Sequence, residues 1–95
     1  MFIVSLKFSD NKSAAPAFME AHNEWIAKGF ADGVFQCVGS IKPAAGGALI
    51  AVGESREALQ ERVRADPFVQ QDVVVAEITE VEVKRTSPEL AGLGG

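Results

Sequence analysis

The stretch VVVAEITEVEVKR, residues 73–85, decides how this chain folds. Val74, Ala76 and Ile78 share one parity, and a period of two over such β-branched residues describes a half-buried strand. Val81 and Val83 fall on the opposite parity. The face that needs burial therefore changes near Thr79-Glu80. A β-bulge accomplishes this, and so does a strand that leaves its own subunit and packs on another.

Working back from that strand, Asp66-Pro67-Phe68 carries the start signal of a single helical turn. Asp is a favoured N-cap, and Pro is over-represented at the first helical position. Before it, Ser55 can cap REALQERVRA (56–65), with Ala58, Leu59, Val63 and the aliphatic stem of Arg62 facing inward. ALIAVG (48–53) is apolar on both parities, which fits a central strand. AAGG (44–47) is a turn, and VFQCVGSIKP (34–43) reads as a strand with a bulge expected at Gly39. APAFMEAHNEWIAKGF (15–30) has helical spacing: Phe18, His22 and Ile26 form a stripe, with Ala21, Trp25 and Gly29 one step round. Gly29 is expected to stop that helix. MFIVSLKF (1–8) alternates again, with Phe2, Val4, Leu6 and Phe8 on one side.

The order is strand, helix, strand, strand, helix, strand. This predicts an α+β, ferredoxin-like βαββαβ domain over residues 1–85: one antiparallel four-stranded sheet with two helices on one face. TSPELAGLGG (86–95) has little to bury and is expected to be a flexible C-terminal tail. Ile3, one parity of ALIAV and one parity of VVV remain uncovered on the other sheet face. Burying each aliphatic side chain is worth about 1.5–3 kcal/mol, so a homodimer with its sheets face to face is expected.

Composition limits the classes of function. The chain has 95 residues, 47% apolar and 23% charged, with a net charge of −4 from 9 basic and 13 acidic side chains. Scattered basic residues argue against nucleic acid as a partner, because phosphate binding rests on clustered Lys and Arg. No apolar run approaches the roughly 20 residues of a membrane span. MFIVSLKF lacks the basic start of a signal peptide, so the expected compartment is the cytoplasm. Cys37 is the single cysteine; inside an apolar strand it reads as a small buried side chain.

His22 is the single histidine, and a side chain that titrates near neutrality can serve as general acid or base. A catalytic histidine needs a partner, usually a carboxylate, on its other ring nitrogen. Set between Phe18 and Ile26, His22 can equally be a core residue bonded to backbone. Asp66 can be a cap and nothing more, or one oxygen can cap while the other meets histidine. His22 lies some seven residues before its helix ends, about 10 Å along the axis, so the chain must double back for the two to meet. Ser40 is a turn serine or a ligand contact; Trp25 is core or a ligand platform. AAGGA lacks the lysine of a phosphate loop. One histidine among scattered carboxylates makes a poor metal set, so no metal and no cofactor are expected.

FIVSLKF, HNEWIAKG, VGSIKP with GGALIAVG, SREAL and ADPFVQQDVVVAEITEVEV, in that order and spacing, resemble the YciI-like (YCII-related) family across residues 1–85. The resemblance implies a dimeric α/β barrel assembly with a site centred on a histidine and an aspartate, here His22 and Asp66. VGSIKP departs from the family's frequent SGP after the second strand, which bears on Ser40 and the pocket rim. Two functions follow. One is a cofactor-free lyase- or hydrolase-type enzyme acting on a small organic metabolite through a His22/Asp66 pair. The other is a non-catalytic, ligand-binding or structural dimeric module, in which His22 packs with no cavity beside it.

Overall fold

The computed structural model describes residues 1–94. Its strands are β1 (Phe2–Phe8), β2 (Phe35–Ile41), β3 (Gly46–Ala51) and β4 (Val74–Glu80). Its α-helices are α1 (Ala15–Ala31), α2 (Arg56–Arg64) and the one-turn α3 (Pro67–Gln70). The sheet order is β2-β3-β1-β4, with each neighbouring pair antiparallel. This is the ferredoxin-like α+β arrangement: each βαβ unit is split by a strand of the other. The sheet is open, with β2 and β4 at its edges.

The alternation in β1 does what its sequence requires. Phe2, Val4 and Leu6 are buried beneath the helices, while Ile3 and Lys7 lie on the uncovered face. Leu49 and Ala51 of β3, Phe35 of β2 and Val74 of β4 join them, and Leu59, Val63 and Phe68 close the core from above. Ser55 caps α2 by accepting from Ala58 N at 3.1 Å. Ala58 itself is exposed, contrary to its expected inward place.

Three readings of local signals are corrected. Gly29 does not stop α1. It lies buried inside the helix, where a Cβ would fall 2.1 Å from the Phe35 ring. The stop comes four residues later. Gly33 adopts φ 75°, its N–H donates to Phe30 O, and Val34 N donates to Gly29 O, which is a Schellman cap. The irregularity in β2 falls between Phe35 and Cys37 and not at Gly39. The extra residue, Gln36, reverses the parity that follows, so Val38 pairs with Leu49 on the helix side and Cys37 is exposed instead of buried. The last strand ends at Glu80, where its parity was expected to change. Residues 81–87 carry no regular structure, apart from Val81 N donating to Met1 O. Pro88–Gly94 form 3₁₀ turns with no buried residue, and Gly95, the last residue of the expected tail, lies outside the described residues.

One polar clamp ties the helix layer together. Arg62 of α2 donates to both oxygens of Glu54 at 3.1 and 2.7 Å and to Asp32, beyond the end of α1, at 2.9 Å. The Lys28 hydrogen bond, and then that of Arg62, hold the Asp32 carboxyl below its usual range. No helix is long and apolar enough to cross a membrane among the described residues.

Candidate functional site

Local chemistry builds α3, and α3 delivers the site. Asp66 is its N-cap: Oδ1 accepts from Phe68 N at 3.0 Å, and Pro67 occupies the first helical position. The turn folds back so that α3 packs on α1. This is the doubling back needed to bring Asp66 to the middle of the first helix. His22 Nδ1 and Asp66 Oδ1 stand 2.7 Å apart. The cap and the histidine bond share one oxygen, rather than taking one each. The His22 side chain is 12% exposed and Asp66 is fully buried. Asp66 Oδ2 is also buried and makes no hydrogen bond among the described residues.

Phe68 fixes the imidazole plane. Its ring lies 3.9 Å from that of His22, with only 5° between them. The carboxylate can only accept, so Nδ1 donates to Asp66 Oδ1. A neutral ring is then left with its lone pair on Nε2. Among the described residues no protein group bonds to Nε2.

Beside the ring lies a cavity of about 370 Å³ between α1 and the sheet. This volume is near the lower end of the roughly 300–1,000 Å³ common for small-molecule sites. Its walls are mostly apolar, from β1, β3, β4 and the inner face of α1; His22, Phe68 and Ser40 line it. Trp25 does not. Its indole N–H donates to Arg62 O at 2.9 Å, and its ring meets Phe35 edge-on at 5.0 Å, so it packs behind His22 as core. Two lining positions escaped the sequence reading: Asn23, hidden among the polar residues of α1, and Gly47, read only as part of a turn.

The YCII-related domain family matches residues 1–86. The chain belongs to that family. No curated protein sequence matches this YCII-related chain. Among solved structures it is similar to 5-chloro-2-hydroxyhydroquinone dehydrochlorinase (TftG) from Burkholderia phenoliruptrix AC1100, in complex with 2,5-dihydroxybenzoquinone. The TM-score is 0.71 at 18% identity, over 84% of this YCII-related chain and 91% of the dehydrochlorinase. A likeness at that identity concerns the fold.

Proposed function

We propose that this protein is a cofactor-free enzyme of lyase or hydrolase type that acts on a small organic molecule, with His22 as general acid–base and Asp66 as its orienting partner. The observation that carries this is the 2.7 Å Nδ1–Oδ1 contact made at the wall of a 370 Å³ cavity. A packed core histidine would have no such space beside it. The dehydrochlorinase of similar fold gives the reading a reaction to aim at.

In an elimination of that kind, His22 Nε2 takes a proton from the substrate. The electron pair left behind forms a new π bond, the bond to the leaving group breaks, and the leaving group departs with its electrons. Asp66 opposes the positive charge gained by the ring and holds Nδ1–H in place throughout. The imidazolium then returns its proton to the released anion or to solvent. Ser40, on the cavity wall, is the proposed ligand contact from β2.

The ring tautomer tests this arrangement. In alkaline buffer, ¹⁵N NMR of the wild-type ring should show Nδ1–H as the dominant neutral form. Asp66→Ser keeps an N-cap oxygen for α3 but is too short to reach His22, so the Nε2–H form should rise. A wild-type ring already dominated by Nε2–H would end the proposal.

The proposed working unit is a homodimer joined through the uncovered sheet face. Cys37, Ile50, Ile3 and Thr79 form one cross-strand row there, and Val75 is 65% exposed. Sedimentation should give about twice the 10.1 kDa chain mass, and Ile3→Asp should return it to the monomer, because a charge facing its own copy at a desolvated interface is costly. A wild-type monomer at tens of micromolar would refute the dimer.

A further inference from the structure

Resting on the acid–base reading of the same cavity, we propose that the site takes an uncharged, flat, one-ring molecule bearing hydroxyl or carbonyl groups. Gly47 leaves it room, and Asn23 and Ser40 bind its polar ends.

Charge is argued from the walls. Among the described residues, the polar side chains lining the cavity are His22, Asn23 and Ser40; no Lys, Arg, Asp or Glu reaches it. A carboxylate or phosphate entering this space would lose its water and gain no cation, which is heavily unfavourable. His22 does not supply that cation on balance. Whenever the ring is protonated, the buried Asp66 carboxylate 2.7 Å away cancels its charge. With the ring neutral the pair is net negative, and with the ring protonated it is neutral, so in neither state does it offer an anion a net positive charge.

Hydroxyl and carbonyl groups are argued from two exposed polar side chains on the cavity wall that no other protein group among the described residues engages. Neither the Asn23 amide nor the Ser40 hydroxyl bonds to another protein group among the described residues, and both line the cavity. One stands on α1 beside His22 and the other on β2 across the space. The amide offers two donors and an acceptor, and the hydroxyl offers one donor and two acceptors. Together they can hold a neutral oxygen substituent at either end of a ring.

Room is argued from Gly47. It sits in β3 between Leu6 of β1 and Ser40 of β2, on the side of the sheet that faces α1. No left-handed backbone demands a glycine there. A Cβ built on it would find only Gly39 O within contact range, at 3.4 Å. The missing side chain therefore serves the space above the strand rather than the strand itself. Filling it would close the slot between the sheet and α1 while leaving the His22–Asp66 contact untouched.

Binding tests this without depending on turnover. Amide NMR titrations of the full chain would use four probes of one ring size: hydroquinone, fluorobenzene, benzoate and phenyl phosphate. Hydroquinone should shift the Ser40 and Gly47 amides in a saturable way, with both anions at least about ten-fold weaker. Gly47→Val should weaken hydroquinone at least about ten-fold and leave the ring tautomer of His22 as in the wild type. Asn23→Leu should weaken hydroquinone but not fluorobenzene. His22→Asn should still bind hydroquinone, so loss of the catalytic reading would be seen separately from loss of the ligand class. Benzoate binding as well as hydroquinone, an unaffected Gly47→Val, or no hydroquinone binding at all would each overturn the assignment.

Discussion

His22→Asn is expected to lower turnover by about 10²–10⁴-fold, the usual contribution of a positioned acid–base group, while the folded chain survives. Asparagine keeps an amide N–H near the place of Nδ1, so the buried Asp66 retains a donor and no charge is stranded. The local costs are small. Helix propensity accounts for about 0.7 kcal/mol or less, and the lost stacking on Phe68 adds about 0.5–1.5 kcal/mol. Against a total of roughly 5–15 kcal/mol, the variant should stay native by circular dichroism and sedimentation. The rate would be read as halide or proton release from a panel of hydroxylated and halogenated aromatics that includes 5-chloro-2-hydroxyhydroquinone. A variant as active as the wild type on a substrate so found would remove the histidine from the chemistry. A variant that unfolds would return it to the core.

That expectation joins two signals of different legibility. The Asp66 cap could be read locally, because an Asp-Pro pair before an apolar residue has few other uses. The meeting with His22 could not. Forty-four positions separate the two, and periodicity says nothing about a one-turn helix folding back across the layer. The resemblance to a known family supplied the pairing, and the α3–α1 packing supplies its physical reason. The alternation of β1 was legible because a sheet covered on one face sorts its side chains by parity, and β3 was legible as an inner strand because it is apolar on both parities. Cys37 was misplaced because one inserted residue, Gln36, carries no signal of its own yet reverses every side chain after it. Asn23 and Gly47 went unread for a similar reason: a polar residue on a helix and a glycine beside a turn look ordinary until a cavity lies next to them.

Gly29→Ala should destabilise the chain although it replaces a poor helix former with the best. In an open helix interior the change would gain about 0.5–1 kcal/mol. Here the new Cβ would stand 2.1, 2.2 and 2.6 Å from three atoms of the Phe35 ring. That ring is 2% exposed and has no free direction: Trp25 meets it edge-on at 5.0 Å and Phe30 at 6.3 Å. Either α1 lifts from the sheet or the ring leaves its rotamer, and overpacking of this sort costs about 1–3 kcal/mol. The clash exceeds the propensity gain, and each net kcal/mol lowers the midpoint of a domain this size by about 4–8 °C. The disturbance also has a route to the site, since Trp25 lies between Phe35 and His22, 5.9 Å from the imidazole. Phe35→Leu trims the obstructing ring and leaves a gap of its own. The double variant should therefore be less destabilised than the sum of the two singles, with a coupling of about 0.5–3 kcal/mol, measured by urea unfolding followed through Trp25 fluorescence. If Gly29→Ala raised the midpoint, the helix and strand would not be in the contact described, and the glycine would owe its place to something other than the close approach of α1 to β2.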